Sequence, residues 1–402
     1  MKKLSLNEKF IVFLIFYSSV IAWSPIFPGL FGIPTTVMYI PFLILAFILI
    51  AWEGYERLYR DVFFVCLFLS LVIFLSLILN NSIIFNRNFA FPFSIIVSLY
   101  VAKNRVIFSR LVDLWSIVAL LSCFGAVFSF FYSFHGFSEL VTFPNPNGKI
   151  NVVFPGSFTN YRLANGIMRP SFIYDEPGAF SFFLTVIAIC RVLLGKRQAI
   201  TTAILCLGLI TFSLMHVIVV CIYFLSISKL SLRNISILFF LCLSVLWLVI
   251  STYQMKEFSF FYDRFNFSNG SFQGDNRTGQ ISNFLSVVNL DIVLFGDYAC
   301  QGFNSAICSS HGDISSSPVT PLYKGGLIWF FIQLFCHVVL VISAIKYRRL
   351  SYICIILTLC LLQRPFFTDL GYQLIIFIPL FYMLKRIAHD GKCQTNNYNN
   401  QL

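Results

Sequence analysis

The sequence predicts an all-α polytopic membrane protein with about twelve transmembrane helices, forming a single integral membrane domain over residues 1–402. Of its residues, 58% are hydrophobic and only 11% are charged, whereas an average soluble domain carries about 25% charged residues. The apolar residues also form long charge-free runs such as Val62–Leu79, about the length that a bilayer core requires. This composition excludes a soluble enzyme, a nucleic-acid-binding protein and a secreted disulfide scaffold as the main interpretation.

Twelve apolar segments follow one another along the chain and are separated by polar residues. They lie at 10–27, 33–52, 62–79, 88–102, 111–134, 177–194, 198–213, 215–228, 234–252, 325–345, 351–363 and 366–384. The two segments between Gln198 and Ser228 could form one long helix. Two helices are favoured, because two crossings keep the basic residues before and after the pair on the same side of the membrane. Two connections are long, at residues 135–176 and 253–323, and the others are short.

The charge distribution predicts the orientation of these helices. With the N-terminus in the cytoplasm, 19 of the 28 basic residues fall on the cytoplasmic side and nine on the opposite side. This asymmetry is the positive-inside pattern of membrane proteins. It predicts cytoplasmic N- and C-termini and places both long loops on the opposite face. The net charge of +12 therefore indicates orientation and attraction to anionic membrane lipid, not binding of nucleic acid.

The exit from the first long loop holds the first candidate functional residues. An acidic pair, Asp175 and Glu176, directly precedes Pro177, and proline is favoured in the first turn of a helix. The pair then lies at the positive end of the helix dipole, where a carboxylate stays ionised. Such a carboxylate can accept a proton or a hydrogen bond from a sugar hydroxyl. The alternative interpretation is that Asp175 only caps the helix.

Two arginines, Arg162 and Arg169, precede this acidic pair in the same loop. Cations on the non-cytoplasmic side oppose the positive-inside trend and need a reason. Binding of a lipid diphosphate is one such reason, because arginine makes bidentate contacts to phosphate.

The run Arg-Pro-Ser-Phe-x-x-x-Glu-Pro-Gly-x-x-Ser, at residues 169–181, resembles the corresponding region of Wzy-type O-antigen polymerases. The segment Leu209–Leu214 is similar to a helix of the same family that frequently reads L-T-x-S. The Phe-rich sequence and the two long external loops agree with the family's layout. The resemblance extends to the wider O-antigen ligase/polymerase group, and it implies a helical membrane fold grouped with the GT-C glycosyltransferases.

The second long loop contains Arg277 and His311, which match positions that are functional in the resembling family. Arg277 lies in an Asp-Asn-Arg-Thr-Gly run that is typical of the start of an ordered amphipathic element. Its alternative role is a surface ion pair with Asp263 or Asp275, worth little in stability. Cys300 and Cys308 lie close together in the same loop, and we expect them to form a disulfide in an oxidising compartment.

The resemblance implies a glycosyltransferase of the bacterial inner membrane that joins undecaprenyl-diphosphate-linked oligosaccharide repeat units on the periplasmic face. Glu176 or His311 would accept the proton of the acceptor hydroxyl, and the substrate-binding residues would be Arg162, Arg169, Asp175 and Arg277. We expect neither a cofactor nor a metal ion, since the sequence holds no nucleotide-binding or metal-spaced motif. A chain-length regulator protein is the expected partner. The alternatives are an O-antigen ligase, which uses lipid A-core as acceptor, and a polysaccharide or lipid flippase.

Overall fold

The structure is a computed structural model of the whole chain. It describes residues 5–22, 24–33, 35–52, 90–144, 150–160, 167–174, 176–227, 267–268, 271–272, 276–297, 314, 318–347, 350–364 and 370–399. Two of the apolar segments predicted from the sequence, 62–79 and 234–252, lie outside these residues.

The described residues form a largely helical protein. Its first helices are α1 (Leu6–Phe16, continued by a π-helical turn at Tyr17–Ile21), α2 (Ile26–Phe31), α3 (Thr35–Met38), α4 (Ile40–Trp52), α5 (Ala90–Lys103) and α6 (Arg105–Phe134). After the first long loop come α7 (Pro177–Leu193), α8 (Gln198–Leu207, continued by a 3₁₀ turn at Gly208–Thr211) and α9 (Leu214–Ile227). The remaining helices are α10 (Asn276–Val287), α11 (Leu290–Phe295), α12 (Thr320–Lys346), α13 (Ser351–Gln363) and α14 (Leu370–Asn399).

The ten predicted apolar segments that fall on described residues all coincide with helical structure. The agreement is closest for 177–194 and 351–363, which correspond to α7 and α13. Among the described residues, α6 and α12 are long and apolar enough to cross a membrane, with mean hydropathies of 2.1 and 2.4. The helical fold is thus confirmed, and the number of twelve membrane spans stays a prediction.

Both long helices expose a continuous stripe of large apolar side chains. On α6 the exposed residues are Ile117, Leu121, Phe124, Phe128 and Phe131. On α12 they include Phe331, Leu334, Val338, Val341 and Ile345. A spacing of three and four residues places each set on one face of its helix. Contiguous apolar surfaces of this length are unusual on a soluble monomer and fit a lipid environment.

Helix α7 lies at the centre of the bundle. All of its residues are buried except Gly178 and Val192, which are partly exposed. A helix that is apolar on every side must be surrounded by others, and α7 contacts α6, α8, α9, α13 and α14. This central helix begins at Pro177, the point at which the first long loop enters the bundle.

The contacts between helices separate two ends of this bundle. The inner end is defined by Lys103, Lys196 and Lys385, and the outer end by Phe134, Glu176, Phe212 and Arg364. Contacts at the inner end join Lys196 to Asp113, Arg191 to Ser116 and Lys385 to the Lys103 carbonyl. Contacts at the outer end join Arg364 to Glu176, Ser24 to the Ile173 carbonyl and Ser129 to the Pro155 carbonyl. Each of these contacts joins residues that the charge pattern predicts on the same side.

The first long loop, 135–176, corrects the all-α class in one respect. It forms an antiparallel sheet in the order β1 (Val141–Pro144), β2 (Ile150–Phe154) and β3 (Ser157–Thr159). The turn between β2 and β3 packs directly on α6, where a Cβ on Gly125 or Gly156 would overlap the other's backbone. Short strands flanked by polar turns are not distinguishable from a solvated loop by hydropathy, so the sequence analysis missed this sheet.

The chain between Gln198 and Ile227 forms two helices, as the flanking charges predict. They are separated at Phe212, whose left-handed backbone (φ 51°) ends the 3₁₀ turn. His216 in α9 lies 2.8 Å from the Leu205 carbonyl through its Nε2 atom. In a continuous helix, residues eleven apart would be about 16 Å apart. The chain therefore folds back on itself at Phe212.

The described part of the second long loop, 253–323, contains a short hairpin, β4 (Phe267–Ser268) with β5 (Ser271–Phe272), and the helices α10 and α11. Helix α10 begins at the Asp-Asn-Arg-Thr-Gly run, where the sequence predicts an ordered element. Within α12, Gly326 has a non-helical backbone (φ 62°, ψ −157°) that separates a short first turn from the apolar helix. The loop after α11 packs against this break, because the Asp297 amide donates to the Tyr323 carbonyl.

The orientation of the bundle is tested by reporter fusions. We expect fusions after Gly195 and Lys346 to report a cytoplasmic location, and fusions after Asn145 and Asn269 to report the opposite side. The reason is the excess of lysine and arginine at the inner end. A fusion after Lys103 serves as a cytoplasmic control. An external location for Lys346 would contradict the predicted helix count.

Candidate functional site

The motif at 169–181 crosses the outer end of the bundle and leads into the central helix α7. Glu176 is the N-cap residue of α7, and Pro177 is its first residue, as the sequence predicts. The Glu176 carbonyl accepts the amide hydrogens of Ala179 and Phe180 at 3.0 and 3.3 Å. The Glu176 side chain makes no capping hydrogen bond to the helix. Its carboxylate is therefore available to another partner.

That partner is Arg364, which ends helix α13 as its C-cap residue. The Arg364 guanidinium forms an ion pair with Glu176 Oε1 through Nη1. The side chains of Arg364 and Glu176 are 11% and 19% exposed, respectively, so the pair is mostly shielded from solvent. Gly178 makes room for it, because a Cβ there would overlap the guanidinium. The close approach of the guanidinium thus explains why the Glu-Pro-Gly motif has a glycine at position 178.

Arg169 lies deeper and has a different environment. Its side chain is buried, with 5% of the residue exposed. Its Nη2 donates to the carbonyls of Thr211 and Phe212 at 3.3 and 2.9 Å. These carbonyls end the 3₁₀ turn after α8, where a positive charge is favourable. Arg169 therefore connects the two segments that carry the family resemblance, 169–181 and 209–214.

A second contact joins α7 to the hairpin formed by α8 and α9. His216 Nδ1 lies 3.1 Å from Ser181 Oγ, and its Nε2 lies 2.8 Å from the Leu205 carbonyl. A carbonyl can only accept, so Nε2 carries the proton and Nδ1 accepts from the Ser181 hydroxyl. His216 is completely buried, and a Cβ on Gly208 would overlap its ring. This histidine positions the hairpin against α7 and offers no access to a substrate.

The backbone is strained at two points of this site. Phe172 and Phe212, with φ of 56° and 51°, are the non-glycine residues with positive φ among those that the structure describes. Such conformations cost on the order of 1–3 kcal/mol each and are found at functional sites. The sheet holds the first of them, since Ser157 Oγ accepts the Phe172 amide at 2.8 Å. The loop before Glu176 is therefore fixed by the sheet and by Arg169.

Tyr174, two residues before Glu176 in the chain, carries a buried neutral hydroxyl. It is completely buried against Phe180 and Phe183, with ring centroids 6.2 and 5.3 Å away. Burial raises the pKa of Tyr174 well above its ordinary value of 10, because an apolar environment disfavours the phenolate. Tyr174 is therefore protonated at neutral pH and does not serve as the proton acceptor.

The structure describes only part of the predicted set of functional residues. It brings Glu176 and Arg169 to the same end of the bundle. The backbone of Arg277 lies in the first turn of α10. Arg162, Asp175, His311 and the cysteines 300 and 308 lie outside the described residues. Among the described residues, no group of three or more His, Cys, Asp and Glu side chains could hold a metal ion.

The sequence analysis missed Arg364. It is one of the nine basic residues predicted on the non-cytoplasmic side, but it lies between two apolar segments and outside both long loops. The reasoning applied to Arg162 and Arg169 applies to it equally. A cation that opposes the positive-inside trend needs a partner, and here the partner is Glu176.

A second ion pair at the inner end provides a comparison. Lys196 Nζ lies 2.9 Å from both carboxylate oxygens of Asp113 and 2.6 Å from Ser109 Oγ. Arg191 nearby is buried and donates to Ser116, Thr201 and the Arg197 carbonyl. These contacts join α6, α7 and α8 and connect no residue of the motifs, so they serve as a structural reference for the outer pair.

Comparisons with family models, with curated proteins and with solved structures find no match for this chain.

A double-mutant cycle tests the outer ion pair. We expect Arg364→Gln and Glu176→Gln each to destabilise the protein, and the double variant to lose less than the sum. Removal of one partner leaves a partly buried charge without its counter-ion. The coupling free energy should be about 1–3 kcal/mol, between the values for exposed and buried pairs. Unfolding in mixed micelles with increasing sodium dodecyl sulfate measures it.

The matched control is the cycle of Lys196→Gln and Asp113→Asn at the inner end, which tests whether the assay detects a coupled pair of this kind. Additive effects at Glu176 and Arg364, together with coupling at the control pair, would show that the outer contact is absent in solution.

Proposed function

We propose that this protein is a Wzy-type O-antigen polymerase, an integral membrane glycosyltransferase that acts on lipid-linked oligosaccharides. The observation that carries the proposal is the carboxylate of Glu176 at the entrance to the central helix, held by Arg364 at the outer end. Further support comes from the motifs that resemble this family. Their two segments are joined in space by Arg169, and the Ser181–His216 contact joins the first segment to the adjacent helix α9.

The proposed reaction joins two undecaprenyl-diphosphate-linked chains. A hydroxyl oxygen of the incoming repeat unit attacks the anomeric carbon of the growing chain, and the bond from that carbon to the diphosphate breaks. The electron pair leaves on undecaprenyl diphosphate, whose negative charge arginines stabilise. Glu176 or His311 accepts the hydroxyl proton. The donor is already activated, so the reaction requires no nucleotide.

The proposal places this reaction at the periplasmic face of the bacterial inner membrane in a GT-C-like fold of about twelve membrane-spanning helices. The substrates would enter from the lipid through their prenyl chains. The proposed substrate-binding residues remain Arg162, Arg169, Asp175 and Arg277, and a chain-length regulator protein remains the proposed partner. The exposed apolar stripes on α6 and α12 support contact with lipid.

The structure also bears on the choice between an enzyme and a flippase. A transporter would be expected to place charged side chains along a cavity between its helices. Two of the ionisable residues within the predicted spans are instead engaged in packing contacts. Asp113 pairs with Lys196, and His216 is enclosed by Ser181 and Leu205. These two residues therefore contribute to helix packing, which supports the enzyme over the flippase.

Lipopolysaccharide banding tests the proposal. We expect a deletion strain to carry core plus a single repeat unit, because ligation continues without polymerisation. Loss of an O-antigen ligase or a flippase would instead leave the core alone. Complementation with the intact chain should restore the ladder. Unchanged long-chain O-antigen in the deletion strain would refute the proposed function.

The role of Glu176 is tested by the Glu176→Ala variant in the same strain. We expect only single-repeat lipopolysaccharide, since removal of a general base costs on the order of 10²–10⁴ in rate. The Asp113→Asn variant removes a carboxylate from the inner ion pair and should retain the ladder at equal expression. A full ladder from Glu176→Ala would assign the proton transfer to another residue.

A further inference from the structure

We propose that the first long loop is re-entrant. From the outer face, its strand β2 descends beside α6 into the outer half of the membrane, turns at Pro155 and Gly156, and contacts the acyl chains of the lipid there. The motif that begins at Arg169 follows β3 and joins α7 below the membrane surface. The inference rests on the placement of α6 in the membrane and is independent of the proposed reaction.

Helix α6 provides a depth scale for the bundle. Arg110 and Asp113 are partly exposed and lie seven and four residues before Ile117, on the face that carries the exposed apolar stripe. Residues 114–134 contain no charged side chain. At 1.5 Å per residue this run is about 30 Å long, which equals the thickness of the hydrocarbon core of a bilayer. The inner boundary of the core therefore lies near Asp113 and the outer boundary near Phe134.

The turn between β2 and β3 lies deep on this scale. Ser129 Oγ donates to the Pro155 carbonyl at 2.5 Å, and a Cβ on Gly125 would lie 2.6 Å from the Gly156 carbonyl oxygen. Ser129 and Gly125 precede Phe134 by five and nine residues, which corresponds to about 8 and 13 Å inside the outer boundary. A hairpin on the membrane surface would instead contact α6 near its end.

The composition of the turn suits an environment without water. No charged residue occurs from Ile150 to Asn160. Pro155 has no amide hydrogen to satisfy, and its carbonyl accepts the Ser129 hydroxyl. Gly125 and Ser129 have the spacing of two small residues that allows close backbone packing in membranes. Non-helical backbone at membrane depth requires such contact with protein.

The turn borders the surface of α6 that faces lipid. Gly125 lies about 40° around the helix from Leu121 and about 60° from Phe128, and both of these side chains are more than half exposed. Gly156, in contact with Gly125, is exposed as well. Since the turn adjoins the apolar stripe at the same depth, the acyl chains that cover the stripe also cover Gly156.

The motif that leads into α7 follows the same path. Its approach begins beside the end of α6, where the Met168 amide donates to Ser133 Oγ at 3.1 Å. It then descends along β3 until the Phe172 amide donates to Ser157 Oγ at 2.8 Å, next to the turn. The strained backbone of Phe172 is therefore held within the outer leaflet, four residues before Glu176.

The lengths of the helices that meet the motif agree with this depth. Helix α7 has 17 residues and is about 25 Å long. Lys196, just beyond its inner end, binds Asp113 at the inner boundary, so its outer end stops about 5 Å short of the outer boundary. Helix α8 with its 3₁₀ turn, to which Arg169 binds, is about 23 Å long. Glu176 thus lies below the membrane surface.

Photolabelling of the full-length protein in phosphatidylcholine nanodiscs tests the proposal. One probe is a phosphatidylcholine with a diazirine at the end of an acyl chain, and the other carries the diazirine on its headgroup. Peptide mass spectrometry locates the adducts. We expect the ratio of acyl-chain to headgroup adducts at residues 153–157 to equal the ratio at Phe124 and Phe128 on α6. It should exceed the ratio at Phe137, which lies beyond the outer boundary.

The variant Gly125→Leu provides a second measurement, because its side chain would overlap the Gly156 backbone and displace the turn. We expect the ratio at residues 153–157 to fall towards that at Phe137, while the ratios at Phe124 and Phe128 stay unchanged. The matched control is Gly279→Leu in α10, where a Cβ would meet no atom within 4 Å. This control should label as the intact protein does.

Acyl-chain adducts on the α6 stripe with none at residues 153–157 would overturn the re-entrant loop. A ratio at 153–157 as low as that at Phe137 in the intact protein would do the same. Acyl-chain adducts at neither place would overturn the inference together with its depth scale. An unchanged ratio in Gly125→Leu would overturn the packing of the turn on α6. None of these outcomes depends on lipopolysaccharide banding, so the proposed reaction is tested separately.

Discussion

The ion pair between Glu176 and Arg364 fixes the point at which the first loop enters the helix bundle. It joins the beginning of α7 to the end of α13. Since α7 is the central helix, this contact holds the outer end of α13 at the place where the first loop enters the bundle. The steric requirement at Gly178 and the missing capping bond of Glu176 both follow from it.

Two ion pairs between helices in the described part of the chain lie at opposite ends of an apolar bundle, and the ends differ in what the charged side chains hold. At the inner end, Lys196 and Arg191 bind side chains and carbonyls of adjacent helices and stabilise their packing. At the outer end, the contacts connect the loop motif to helix ends and to a reversal of the chain at Phe212. Backbone strain also occurs at the outer end. Backbone strain of this kind is frequent at functional sites, so this asymmetry supports the proposed position of the site.

The sequence was sufficient to predict most helices because hydrophobic runs and flanking charges determine them directly. The start of α7 at Pro177 and the separation of α8 from α9 were both predicted correctly. The three-stranded sheet was missed, because its strands are short and their pairing depends on packing against α6. The contact of Glu176 with Arg364 was also missed. The two residues are 188 positions apart, and only the fold brings them together.

Arg169 and Arg364, the two arginines at the outer end, differ in the groups that they hold. Arg169 donates to two carbonyls at the end of the 3₁₀ turn, and loss of a hydrogen bond to a buried carbonyl is costly. Its guanidinium therefore stabilises the contact between the first loop and this turn. Arg364 neutralises the Glu176 carboxylate, and both side chains of this pair retain some exposure. The two arginines thus hold different groups in place: Arg169 holds the end of the 3₁₀ turn, and Arg364 holds the carboxylate at the start of α7.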